Sequence, residues 1–190
     1  YAFCDQDDVW FENKLSTAIS KIKAVNDNNR PILYMSNVCV TDAELNYLPY
    51  RVSSTHCTDY KGALIYPSAP GCTFVFNHNA LLLLRKYEMT ESNEFIHDWL
   101  AHKIISIFGT IIYDNNPSMY YRQHGNNAIG TGPTKSIFEK LRNLINVGHG
   151  VMASVCANYI WSAYEGLIPE DKGKWIYSLS TCRTSIKSKI

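Results

Sequence analysis

The amino-acid sequence predicts an α/β fold: a mixed, mostly parallel sheet with flanking helices and a helical C-terminal appendage. Three observations carry this. The apolar run Tyr1-Ala2-Phe3-Cys4 stops at the polar turn Asp5-Gln6-Asp7-Asp8, the pattern of a buried strand ending at the carboxyl edge of a parallel sheet. An amphipathic stretch and a second apolar run come next, and strand, helix, strand in that order favours a right-handed parallel crossover. Beyond about residue 133 only helical periodicities remain.

The first helix is read over Glu12 to Asn28, where Leu15, Ala18, Ile19, Ile22 and Val25 recur at three- and four-residue spacing before the breakers Asn26 to Pro31. Ile32 to Val40 is a mostly buried strand, and residues 41–61 are a polar surface excursion whose Asp, Asn, Pro and Ser residues break any period. Gly71 to Asn77 is a short glycine-led strand, with Asn77 suited to cap a helix from Ala80 to Tyr87 whose Leu81 to Leu84 block reads as core. After a polar loop over residues 89–95, a helix opens at Ile96-His97-Asp98-Trp99 and runs to Phe108, where Gly109 stops it. Thr110 to Asp114 and Ser118 to Arg122 read as a strand pair around Asn115-Asn116-Pro117, and Gln123 to Asn127 as a loop. A boundary near Gly130-Thr131-Gly132-Pro133 divides the chain into a domain over residues 1–132 and an appendage over 133–190. Within the appendage Ile137, Leu141, Leu144 and Ile145, then Val151, Val155 and Tyr159, mark two helices, and a weaker third lies near Trp175 to Ile186.

A chain of 190 residues with 46% hydrophobic content supports one cored domain and an appendage. Lysine and arginine number 18 against 17 acidic residues, so the net charge of +1 excludes a protein that grips nucleic acid through bulk charge. Residues 1–134 hold 10 basic and 13 acidic groups, and residues 135–190 hold 8 and 4. That basic tail fits either peripheral association with an anionic membrane surface or plain solvation. The six cysteines are scattered without a Cys-x-x-Cys pair, which reads as reduced thiols in a cytoplasmic protein. No apolar run approaches the roughly 20 residues that span a bilayer, and there is no signal-peptide pattern. A strand end at Tyr1 suggests a chain downstream of further N-terminal strands.

The chemistry concentrates in three polar clusters at strand ends or helix starts: Asp5/Asp7/Asp8, His97/Asp98 and Arg122/His124/Asn126/Asn127. Close carboxylates repel by roughly 1 kcal/mol per pair at surface-like dielectric, so the first cluster calls for a cation or for another use of its acids. Asp7 or Asp8 capping the helix that begins near Phe11 is that other use, and the carboxylates alone do not separate the two. With Mg²⁺ or Mn²⁺ and a phosphate ester, Asp7 and His124 make a plausible ligand set of mainly hard donors. Asp98 in a first helical turn suits a general base. His97 and His102 do not share a helix face, which disfavours zinc, and His56, His78 and His149 stand alone. Trp10 and Trp99 read as packing groups, although a ring beside a sugar site also stacks on the sugar's apolar face.

Taken together, Phe3-Cys4-Asp5-Gln6-Asp7-Asp8-Val9-Trp10 with Lys14-Leu15, Gly71-Cys72-Thr73, His97-Asp98-Trp99 and Tyr121 to Asn127 resemble the family 2 glycosyltransferases, in particular their rhamnosyltransferase-like branch. The resemblance covers residues 1 to about 130. It implies a GT-A, Rossmann-like fold and an inverting transfer of a sugar, with rhamnose suggested by the branch, from a nucleotide-diphosphate donor to a hydroxyl. Asp5 matches the family's donor-ribose aspartate, Asp7 the aspartate on the Mg²⁺ or Mn²⁺ that bridges the diphosphate, and Asp98 the base that deprotonates the acceptor. His124 matches a loop histidine on the metal or diphosphate, Arg122 and Asn126 accompany it, and Gly71 and Cys72 match a segment near the sugar. The implied acceptor is a cell-surface or lipid-linked glycan, met in the cytoplasm or at the inner face of the membrane. The family's nucleotide-base segment would precede Tyr1, so these 190 residues alone are expected to bind donor weakly or not at all and to be inactive.

Two other readings compete. A phosphohydrolase also sets Asp-x-Asp at a strand end but wants a nearby Thr or Ser and a downstream Lys, which Val9-Trp10 does not supply. A truncated, non-catalytic interaction or membrane-peripheral module acting through the basic tail is the second.

Overall fold

The computed structural model describes residues 1–25, 27, 29–49, 57–66, 69–86, 97–123 and 149–187. In chain order these form β1 (Val9–Trp10), α1 (Lys14–Lys23), β2 (Ile32–Thr41), α2 (Tyr60–Ile65), a 3₁₀ turn (Gly71–Thr73), β3 (Val75–Phe76), α3 (His78–Leu84), α4 (His97–Phe108), β4 (Thr110–Arg122), α5 (His149–Ala163) and α6 (Glu170–Lys187). The architecture is mixed α/β, compatible with a glycosyltransferase-like fold.

The sheet has the order β1-β4-β2-β3. It is mixed, and its parallel share lies in one long ladder: β2 and β4 run parallel from Ile32 opposite Thr110 to Thr41 opposite Arg122, whereas β1–β4 and β2–β3 are antiparallel. The opening segment also differs from the expected strand end in a parallel pair. Tyr1 exchanges backbone hydrogen bonds with Phe76, Ala2 bridges Val75, and the Phe3 N–H donates to the Phe74 carbonyl, so this segment pairs antiparallel with β3. It therefore runs parallel to β2, with β3 between them.

The expected strand pair over residues 110–122 is one continuous strand. Asp114 Oδ1 accepts from both the backbone N–H and the Nδ2 of Asn116, which folds residues 115 and 116 into a bulge opposite Ser36 and Asn37 instead of a reversal. Pro117, lacking an N–H, resumes the ladder opposite Asn37. Below the bulge, Tyr34 donates to Asp114, and Ser36 and Ser118 share a 2.7 Å hydroxyl contact, so the polar groups at the irregularity are satisfied.

α1 is shorter than its periodicity suggests. Asn13 precedes it without a side-chain cap bond, so neither Asp7 nor Asp8 caps this helix. Its buried face is also rotated: Lys14 and Ala18 are buried, and Leu15 and Ile19 are exposed. Asn77 caps α3 as its chemistry suggests, accepting from Ala80 and also from the Ile32 amide. The leucine block beyond is half-buried, and Leu82 is exposed. At Gly109 an added Cβ would lie 2.0 Å from the Pro31 carbonyl oxygen, so only glycine lets α4 end where β4 begins beside β2.

Four apolar clusters lie among the described residues, and the two largest hold helices α2 to α6. One joins Leu33, Met35, Phe74, Phe76 and Ile111 of the sheet to Ala80 and Ile105. The other joins Leu64 of α2 and Leu100, Ile104 and Ile107 of α4 to Ala157, Ile160, Tyr164 and Ile176, so α5 and α6 share a core with α4. Lys103 Nζ donates to the carbonyls of Ala63, Leu64 and Tyr66, and Lys172 Nζ to that of Ile107, so two lysines satisfy the ends of α2 and α4. The six-residue α2, begun by the Asp59 cap, is too short to show a period and lies partly in the stretch expected to be irregular. The proposed helix over residues 137–145 and the boundary near 130–133 lie outside the described residues. No helix among the described residues is long and apolar enough to cross a membrane.

Candidate functional site

The acidic turn leaves the β3 edge of the sheet after Phe3 and reaches the opposite edge at β1. Phe3 is fixed by Phe74 and Phe76 and meets the His97 ring edge-on at 4.9 Å, which places the start of α4 beside the start of the acidic turn. At the far end, Asp8 Oδ1 accepts from the backbone N–H of Arg122, the last residue of β4. Asp5, Asp8 and Cys72 each present a ligand atom within 4.8 Å of the others. Asp7 is half-buried and lies outside that group of three.

Cys72 comes from the Gly71–Thr73 turn, whose shape is set by bonds from Thr73 to Pro70 and from the Phe74 N–H to Gly71. Gly71 is the residue that brings Asp98 in. A Cβ there would stand 2.5 Å from Asp98 Cβ and Oδ2, so the carboxylate occupies the space a side chain would fill. Asp98 Oδ1 also accepts from the Trp99 N–H at 2.7 Å. Burial raises its pKa above the ordinary value of 3.8, and the amides of Trp99 and Gly71 oppose the rise.

Lys14 lies beneath this turn. It is 1% exposed, donates to the Cys72 carbonyl at 2.5 Å, touches Met119 Sδ at 3.5 Å and stands 4.0 Å over the Trp10 ring. Burial lowers its pKa to about 8, with Cys72, Asp8 and Asp5 among the groups that oppose the fall. Asp8 is raised, first by burial and then by its acidic neighbours Asp7 and Asp5, against the Arg122 amide that lowers it. Burial and the Asp8 carboxylate push the Cys72 thiol up, and burial with Cys72 and Asp8 pushes Tyr121 up to about 12.

Several buried polar atoms here lack a partner of good geometry among the described residues: Asp8 Oδ2, Trp10 Nε1 and Thr41 Oγ1. By register and hydrogen bonding all three residues flank the C-terminal half of β4. Buried polar atoms without protein partners are uncommon and are met by a water or an ion, and at Asp8 the Cys72 thiol also bonds the carboxylate. An orphaned carboxylate oxygen on Asp8 next to the exposed carboxylate of Asp5 is a hard-oxygen set that fits Mg²⁺ or Mn²⁺. The protonated Cys72 thiol is a soft group and adds no ligand for such a cation.

Of the residues singled out in the sequence, Asp5, Gly71, Cys72, Asp98 and Arg122 are thus brought to one end of the sheet. His124 and Asn126 lie outside the described residues. Lys14 and Asp8 are the site residues that sequence reasoning undervalued. A lone cation following three carboxylates, four residues past a tryptophan, is the pattern that marks Lys14.

No family model matches the chain. A curated relative, the dTDP-rhamnosyl transferase RfbG of Shigella flexneri, is 31% identical over 135 residues, covering 67% of this chain and 44% of that protein. The similarity supports a glycosyltransferase relationship. The chain spans less than half the length of that relative.

Proposed function

We propose that this protein transfers a sugar from a nucleotide-diphosphate donor to a hydroxyl of a cell-surface glycan, with inversion and with Asp98 as base. The observation that carries the reading is the seating of the Asp98 carboxylate against Gly71, one residue from the Cys72 that joins Asp5 and Asp8. One turn of chain thereby links an acidic pair suited to a diphosphate-bound cation with a carboxylate suited to a proton.

In this reading Asp98 takes the acceptor's hydroxyl proton as its oxygen bonds to the anomeric carbon, and the donor's nucleoside diphosphate leaves with the electrons of the broken bond. A raised pKa makes the carboxylate a stronger proton acceptor than an exposed aspartate. Asp5 and Asp8 would hold Mg²⁺ or Mn²⁺, which supplies charge neutralisation on the departing diphosphate. The family motif puts Asp7 in that role, and the orphaned Asp8 Oδ2 favours Asp8. Arg122 shapes the pocket through its amide, and His124 and Asn126 join it on the resemblance alone. The relative's name makes dTDP-rhamnose the donor to try first.

The test is release of dTDP from dTDP-rhamnose by the full-length protein in the presence of Mn²⁺ and candidate glycan acceptors, with and without EDTA. Acceptor-dependent release abolished by EDTA is expected. Donor that neither binds nor turns over at any metal concentration would contradict the reading and favour a non-catalytic module.

A further inference from the structure

Lys14 stands in the first turn of α1 with its ammonium almost wholly removed from water. Burying a charge is costly, and an apolar chain of the same length would fill that volume at less cost to the fold. No carboxylate lies within salt-bridge distance of it among the described residues. What a lysine adds over a methionine is an ammonium that stands over the Trp10 ring, touches Met119 Sδ and makes its shortest hydrogen bond to the Cys72 carbonyl.

The recipient carbonyl lies at the centre of the site. Its turn meets Asp98 through Gly71 and meets Asp5 and Asp8 through Cys72. Bonds to Pro70 and Gly71 set the turn's internal shape, and the Lys14 bond ties it to α1, which β1 joins to the acidic segment. The Trp10 ring and Met119 fix the ammonium laterally.

We propose that Lys14 is a positioning residue: its ammonium fixes the Cys72 carbonyl, and with it the Gly71–Thr73 turn, so that Gly71 seats Asp98 beside the Asp5–Asp8 turn. The inference rests on the reading of Asp98 as base and of Asp5 and Asp8 as the metal-holding acids.

The test compares the whole chain with Lys14→Met by ¹⁵N-resolved NMR, using Mn²⁺ alone as the probe. Lys14→Met is expected to melt within a few degrees of the parent. The Gly71, Asp98 and Trp99 amides shift while Leu33 and Ile111 stay in place. Added Mn²⁺ broadens the Asp5–Asp8 amides in both proteins, and broadens Gly71 and Trp99 less in the variant. Unmoved Gly71, Asp98 and Trp99 signals with equal Mn²⁺ broadening in both proteins would overturn the proposal. If Lys14→Met does not fold, Lys14→Gln, which keeps an N–H donor, carries the same comparison with smaller shifts expected. Absence of Mn²⁺ broadening in the parent would count against the metal reading, while the metal-free shifts still decide the role of Lys14.

Discussion

Among the described residues two lysines are buried, and their surroundings separate the sheet half from the helical half. Lys103, in the helical half, spreads its donors over the carbonyls of Ala63, Leu64 and Tyr66 at the end of α2. Those carbonyls have no further helical turn to serve them, so the lysine completes a helix that would otherwise end in unpaired acceptors. Lys14, in the sheet half, donates to a single carbonyl in a turn that carries a glycine against an aspartate. The difference teaches that burial of a charge does not by itself mark function. What the charge's partners do decides it: Lys103 satisfies secondary structure, and Lys14 connects the groups to which we propose chemistry.

The largest expected effect breaks this comparison at Lys103. Lys103→Met should cost about 3 kcal/mol of stability, because the carbonyls at the end of α2 would be left without their donor, whereas Lys14→Met, which leaves the single Cys72 carbonyl without one, should cost about 1 kcal/mol. Equal losses in denaturant unfolding would erase the distinction. Next, Gly71→Ala should leave the fold intact and lower sugar transfer roughly ten- to a hundredfold, since its methyl displaces the Asp98 carboxylate by a fraction of an ångström to an ångström. Transfer at the parental rate would show that the Gly71–Asp98 contact is incidental.

A pH experiment sharpens the helical side. His102 is fully buried, its Nε2 lies 3.0 Å from the Cys57 carbonyl, and burial lowers its pKa to about 4. Its unfolded value is higher, so the unfolded chain takes up a proton first as pH falls below about 6.5. Stability should therefore drop by about 1–2 kcal/mol between pH 7 and pH 5, and His102→Gln should flatten that slope. A slope unchanged by the substitution would assign the loss to other groups. The smallest expected effect lies at the acidic turn: Asp8→Asn should weaken Mn²⁺ binding about tenfold, and Asp7→Asn less. Calorimetry giving the reverse order would return the metal to Asp7.

Much of the site was legible because its residues are chemically conspicuous. Asp5, Asp98 and Arg122 stand at strand ends and helix starts, which converge wherever strands share a sheet, whereas Gly71 and Cys72 were marked by the family resemblance alone. Three features were not legible. The burial of Lys14 runs against the period of α1, because, of its apolar residues, Ala18 and Ile22 pack inward while Leu15 and Ile19 face outward. The continuity of β4 depends on two hydrogen bonds from Asn116 to Asp114 that turn a hairpin signal into a bulge. Asp8 reads as a helix cap until the Arg122 amide, 114 residues away in sequence, is seen to hold it.

The central claim is that Asp98 takes the acceptor proton while the acidic turn holds the donor. Measuring donor affinity and transfer rate for Asp98→Asn side by side tests it most directly. Transfer should fall at least about a hundredfold with dTDP-rhamnose binding within about twofold of the parent. Transfer at the parental rate would contradict it.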